Sequence, residues 1–196
     1  MSSGDPETRK RILEVTRQLM EKRRGKDVRL EDIAEAADVS RQAIYLHFGS
    51  RAGLLIATAR YLDDTLGLSE RLVPVQSAES GIQHLEALVE FWTNYIPDIY
   101  GLAKALMTVR ETDEAAAAAW NDRMEAVYIK CLTTVQHLAS DGLLSPAWTI
   151  DEAADFMWAT LSIAVWEQLT IERGWTQEQY MERIQMALKR TLVKVT

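Results

Sequence analysis

Apolar residues recur along the chain at the three-and-four spacing of helices, and no stretch keeps the strict alternation of a half-buried strand. Asp5, Pro6 and Glu7 supply an N-cap, a proline suited to a first turn and an acid at the positive end of a helix dipole. Ile12, Val15 and Leu19 then share a face until Gly25, which stands behind the basic Lys22, Arg23 and Arg24, so a first helix is predicted over 7–24. A short helix over 30–37, a turn of Asp38, Val39 and Ser40, and a second short helix from Arg41 follow. Gly49 and Ser50 end that helix and cap the next, over 51–71, which stops before Pro74. Downstream the pattern predicts helices over 79–96, broken by Pro97, then 98–109, 111–140, 151–173 and 176–194. The fold class is all-α, with roughly nine helices.

Composition narrows the class without changing it. With 47% hydrophobic and 26% charged residues the chain is ordinary globular material. Its longest uncharged apolar stretch, 156–166, falls short of the ~18 residues of a membrane span. The acidic start offers no apolar signal segment, and a cytoplasmic protein without membrane contact is expected. Cys131 is the single cysteine, which excludes an intrachain disulfide and a cysteine zinc site. The net charge of −7 is unevenly spread: residues 1–60 hold 12 basic against 9 acidic side chains, so the acid excess lies in the remainder. A polyanion would meet the first sixty residues.

Two short helices joined by a three-residue turn make a helix-turn-helix, with Ile33, Ala34, Ala37, Val39, Ile44 and Phe48 facing a small three-helix core. Outward on the second helix stand Arg41, Gln42, Ala43, Tyr45, Leu46 and His47. Arginine pairs with guanine, glutamine with adenine, and an alanine methyl can touch thymine, so Arg41, Gln42 and Ala43 are candidates for base edges. Tyr45, His47 and Arg51 suit phosphate oxygens, Ser40 caps the helix, and Arg29 opens the preceding one where the backbone of DNA would pass.

Residues 30–51, LEDIAEAADVSRQAIYLHFGSR, followed by Gly53, Leu54 and Leu55, resemble the DNA-binding signature of the TetR family of bacterial transcriptional regulators. Ile33 with Ala34, Val39 with Ser40, Tyr45 with His47 and Phe48, then the basic residue at 51 and Leu54 carry the likeness. The chain departs from the family at Arg29, for the usual capping threonine, at Asp38, for a turn glycine, at Leu46, for a polar residue, and at Arg51, for lysine. The resemblance implies a DNA-binding domain over 1–50 and a helical ligand-binding and dimerisation domain over 51–196, with 51–71 as the linking helix. It also implies a homodimer that represses from a palindromic double-stranded operator and is released by a small molecule.

In the acidic remainder, Trp92, Tyr95, Tyr100, Met107, Trp120, Met124, Tyr128 and Trp158 fit the lining of an apolar cavity, although any one of them alone is more often plain core. An apolar or aromatic inducer is expected. Asn94, His84, Thr108, Arg110, Gln136, His137 and Gln168 are polar residues that would orient it. The segments 151–173 and 176–194 are expected to pair across a twofold axis through Ala159, Ser162, Trp166, Leu169, Ile184 and Leu188, because the uncharged run 156–166 is too apolar around its circumference for one buried face. A helical-bundle enzyme is the rival class. The residues three before His47, His84 and His137 are Ile44, Gly81 and Thr134, so the Glu-x-x-His pairs of di-metal bundles are absent. No phosphate loop or nucleophile elbow occurs either, and neither catalysis, a cofactor nor a metal is expected. A protein-sensing module that lacks an inducer is the third reading.

Overall fold

The computed structural model describes residues 5–194. Among them the chain forms eleven α-helices and one π-helical segment. The helices are α1 (Pro6–Lys22), α2 (Leu30–Ala36), α3 (Arg41–Phe48), α4 (Arg51–Thr65), α5 (Leu68–Arg71), α6 (Val73–Gln76), α7 (Gly81–Val109), α8 (Glu114–Ser140), α9 (Ile150–Thr160), α10 (Ile163–Trp166) and α11 (Gln177–Leu192). The π-helical segment, Glu167–Glu172, continues directly from α10. An isolated bridge between Leu144 and Val193 is the one β-type pairing in the described residues.

Two compact units divide the chain. The first holds residues 1–67 and 99–124, and is therefore larger than the three-helix head expected over 1–50. Its core explains the difference. Ile12, Leu13, Met20, Ile33, Ala37 and Ile44 close together with Leu54 and Leu55 of α4, with Leu102, Ala105 and Leu106 of α7, and with Ala116 and Ala119 of α8. The buried face of α1 is Thr8, Ile12, Leu13, Thr16 and Met20, while Val15 and Leu19 are only half-buried. Arg11 Nε donates to the Ala37 carbonyl at 2.8 Å and ties α1 to the end of α2.

Three predicted elements differ from the observed ones. The helix expected over 51–71 ends at Thr65, with Gly67 at φ +66°, and the short α5 and α6 follow. The break expected at Pro97 does not occur, for Pro97 lies inside α7. Proline lacks the N–H that would bond Thr93, four residues back, and the Gln177 side-chain amide of α11 donates to that carbonyl instead. Conversely, the single helix expected over 151–173 is interrupted. Ser162 is extended and its Oγ accepts the Val165 N–H at 3.3 Å, starting α10. Trp92 Nε1 donates to the Leu161 carbonyl at 2.6 Å, which satisfies the group the break releases.

The second unit, residues 68–98 and 125–196, encloses Leu85, Val89, Ile96, Val135, Leu138, Met157, Tyr180 and Leu188. Cys131 is fully buried there, and its desolvation pushes the thiol up to about 12. His84 is also buried. Its Nδ1 lies 2.8 Å from Thr134 Oγ1, and its ring stacks on His137 at 4.7 Å. Burial, then the neighbouring His137 and Lys130, hold its pKa below the usual 6.5.

The sign of the consequence is fixed. The unfolded chain takes up a proton near pH 6.5 while the folded one resists, so stability present above that value is lost as pH falls toward the lower folded pKa. We expect the melting temperature to drop as pH is lowered below 6.5 and His84→Gln to remove most of that slope. Parallel pH profiles for the two proteins would exclude His84 as the cause.

Candidate nucleic-acid interface

The turn between α2 and α3 is built from local chemistry. Asp38 adopts φ +50°, a left-handed position where glycine is usual and aspartate is among the better-tolerated alternatives. Ser40 Oγ then accepts the Ala43 N–H at 3.1 Å and starts α3. Arg29 provides no side-chain cap for α2; Asp32 Oδ2 accepts the Arg29 N–H at 3.1 Å and also receives Arg23 Nη1 at 2.7 Å. These bonds, first the Arg29 backbone donor and then the Arg23 guanidinium, hold the Asp32 carboxyl below its ordinary value. At the far end Ser50 Oγ accepts the Gly53 N–H at 2.9 Å and starts α4. A Cβ on Gly53 would meet the Phe48 carbonyl oxygen at 2.2 Å, so the corner between α3 and α4 closes only on glycine.

Four of the six side chains read as outward on α3 are exposed and two are half-buried. Arg41 and Gln42 are exposed, Tyr45 is 44% exposed and Leu46 66%, while Ala43 and His47 are half-buried. Ile44 alone on this helix is fully buried and anchors it. Arg9 lies over the Phe48 ring at 5.0 Å, covering the last turn. His47 Nε2 is buried without a hydrogen-bond partner among the described residues.

Sequence reasoning missed the carboxylates that answer the arginines. Arg41 Nη1 meets Glu31 Oε1 at 2.6 Å, and the two side chains are 54% and 56% exposed. Arg51, by contrast, is mostly covered. Its Nη2 meets Asp113 Oδ2 at 2.8 Å with both side chains only 24% exposed. Asp113 also accepts the N–H groups of Ala115 and Ala116 on Oδ1, at 3.0 and 3.2 Å, as the cap of α8. Burial acts to raise the Asp113 pKa, yet the Arg51 bond and the two backbone donors outweigh it and leave the carboxyl below its usual value. Further along, Arg60 meets Asp122 at 2.5 Å and Arg123 meets Asp63 at 2.5 Å, so α4 is ion-paired to α8 over its length. The helix predicted over 111–140 begins only at Glu114, with Asp113 as its cap, and the partner of Asp113, 62 residues away, was not legible in the sequence.

The aromatic candidates do not fall in one unit. Tyr100, Met107, Trp120 and Met124 are half-buried in the first, with Arg110 over the Trp120 ring at 5.2 Å. In the second, Trp92 and Tyr95 are buried, Tyr128 is half-buried and Trp158 is exposed. The Tyr95 ring stacks on Phe91 at 5.2 Å, and the Arg71 guanidinium lies 5.5 Å from its centre. Of the six residues expected at a twofold interface, Trp166, Ile184 and Leu188 are buried within the unit. Leu169 and Ser162 are half-buried, and Ala159 is exposed. The apolar surface left uncovered on α9 is Ile150, Phe156 and Trp158, beside Ala159.

Among the described residues no group of three or more His, Cys, Asp or Glu side chains could hold a metal ion, and no helix is long and apolar enough to cross a membrane. Residues 12–58 match the family model of the bacterial regulatory proteins, tetR family. The whole chain is similar in fold to a transcriptional regulator from Saccharomonospora viridis solved in complex with choline, at TM-score 0.74 and 21% identity, covering 97% of this chain and 100% of that one. It is also similar to NalD, the secondary repressor of the MexAB-OprM multidrug efflux pump in Pseudomonas aeruginosa, at TM-score 0.67 and 21% identity over 97% and 98% of the two chains. FadR of Bacillus subtilis, in complex with stearoyl-CoA, aligns at TM-score 0.71 and 12% identity over 91% and 96%. No curated protein matches the chain.

Proposed function

We propose, from the premise that the chain belongs to the tetR family of bacterial regulatory proteins through residues 12–58, that it binds an operator as a dimer and leaves it when a small molecule binds its helical body. One observation carries the reading: a short helix, capped by Ser40 and anchored by Ile44, holds Arg41, Gln42, Tyr45 and Leu46 outward. Those are the side chains that hydrogen-bond base edges and phosphates or touch a thymine methyl.

Further features support the finer parts of the reading. The exposed Phe156, Trp158 and Ala159 of α9 offer an apolar face suited to a second copy of the chain, which would set two copies of α3 about one turn of B-DNA apart. Fold neighbours that hold choline or stearoyl-CoA support a small-molecule ligand, and the buried Trp92 and Tyr95 favour an apolar or aromatic one. NalD, a repressor, supports repression as the sign of regulation. Because α4 follows α3 directly and is ion-paired to α8, a displacement of α8 would reach the recognition helix. By linkage, a ligand that weakens operator binding must itself bind more weakly to the operator complex, by the same factor.

The experiment is a fluorescence-anisotropy titration of the purified protein against the DNA flanking its own gene, over a series of salt concentrations. Saturable binding that prefers this sequence and weakens with salt is expected. Equal affinity for that DNA and for a scrambled duplex would count against sequence-specific recognition.

A further inference from the structure

We propose that Asp113 is an internal counter-ion that keeps Arg51 off the phosphate backbone, so that DNA binding is weaker than the basic residues of the head would give; the proposal rests on the DNA-binding reading above. The two arginines beside the presented surface are held differently. Arg41 and Glu31 meet in open solvent, where an ion pair is weak and readily exchanged. Arg51 and Asp113 meet where both are three-quarters covered, and screening by water is correspondingly less.

The carboxylate cannot follow the arginine outward. Its Oδ1 is fixed by the Ala115 and Ala116 N–H groups at the positive end of a 27-residue helix, so only the guanidinium is able to leave. Its departure would strand a partly buried carboxylate without its cation, a cost that a phosphate contact must first overcome. The guanidinium nonetheless has spare capacity. Only Nη2 bonds Asp113, and Nη1 is buried with no hydrogen-bond partner among the described residues. Arg51 is also the first residue of α4, separated from the last residue of α3 by Gly49 and Ser50 alone. Once the carboxylate is neutralised, the planar fork is able to bond a phosphate through both nitrogens.

The test compares wild type with Asp113→Asn, Asp113→Ser, Arg51→Gln and the Arg51→Gln, Asp113→Asn pair, each titrated by anisotropy with a mixed-sequence duplex of about 30 base pairs over a salt series. Asparagine and serine both keep an oxygen acceptor for the cap of α8, and far-UV circular dichroism with thermal melting checks that each variant is folded. Each released arginine should steepen the dependence of log affinity on log salt by about 0.9, or about 1.8 for the two copies in a dimer. Between about 50 and about 200 mM salt, Asp113→Asn and Asp113→Ser should then lose roughly tenfold more affinity than wild type. Arg51→Gln alone should leave the slope unchanged, and in the double variant it should cancel the gain.

Wild-type and Asp113→Asn slopes that coincide in folded proteins would overturn the proposal. So would a flattened slope for Arg51→Gln alone, since Arg51 would then already touch phosphate in the wild type. If Asp113→Asn does not fold, Asp113→Ser and Arg51→Gln decide by the same criteria. Wild-type protein that binds no DNA at any salt concentration would overturn the functional reading and this proposal together, whereas binding with unchanged slopes overturns this proposal alone.

Discussion

A chain carrying both Arg41→Ala and Tyr45→Phe should bind the operator duplex about 100-fold more weakly than wild type at physiological salt. A good arginine–guanine pair is worth about 1 to 3 kcal/mol, and a twofold-symmetric complex presents each contact twice. The tyrosine change removes one hydroxyl able to bond phosphate and keeps the ring. Neither residue has much to do with holding the fold together. Arg41 gives up only its solvent-exposed pair with Glu31, an interaction of about 0 to 1 kcal/mol, and Tyr45 is 44% exposed. Melting temperature and helix content should therefore match the wild type while anisotropy reports the loss. Undiminished affinity in a folded double variant would remove the face of α3 from the site. Loss of affinity together with a lower melting temperature would mean that the substitutions act through the fold.

The head was legible because its instructions are local. Ser40 caps the helix that begins one residue later, Asp38 takes the left-handed position of the turn it belongs to, and Gly49 with Ser50 ends one helix and starts the next. The rest of the chain was misread wherever the deciding partner was distant. Pro97 reads as a break, and the amide that lets the helix continue past it belongs to Gln177, beyond three intervening helices. Ser162 sits in an apolar run that reads as helix, and the indole that accommodates its break belongs to Trp92. Arg51 was recognisable as a cation where DNA would pass, but nothing near it in sequence announces Asp113. Amphipathic spacing also cannot tell which of two apolar faces closes on its own core. Trp166, Ile184 and Leu188 turned inward and Phe156 with Trp158 outward, although all five have the side chains of an interface.

Gly25→Ala should destabilise the first unit by about 3 kcal/mol or more, and the neighbouring Arg24→Gly should stabilise it slightly. The sequence pattern takes Gly25 for the left-handed residue that closes α1, yet that role falls to Arg24. Arg24, at φ +51°, sends its N–H to the Glu21 carbonyl at 3.2 Å, and Gly25 sends its own to Met20 at 2.8 Å, the paired bonds of a Schellman ending. Arg24 thus occupies the position where glycine is commonest and bears a strain of roughly 1 to 2 kcal/mol, part of which glycine would give back as chain entropy. Gly25 is held for two reasons of its own. It has φ +77°, and a Cβ there would lie 2.4 Å from the Ala105 carbonyl oxygen and 3.1 Å from a Val109 methyl. Backbone cannot yield as a flexible side chain does, so the alanine variant must shift α7 away from the end of α1 or distort the turn. Chemical unfolding of the two variants separates the contributions. An alanine at 25 that costs less than about 1 kcal/mol would mean that the close approach to Ala105 relaxes freely. A glycine at 24 that destabilises would mean that the arginine side chain contributes more there than its backbone strain takes away.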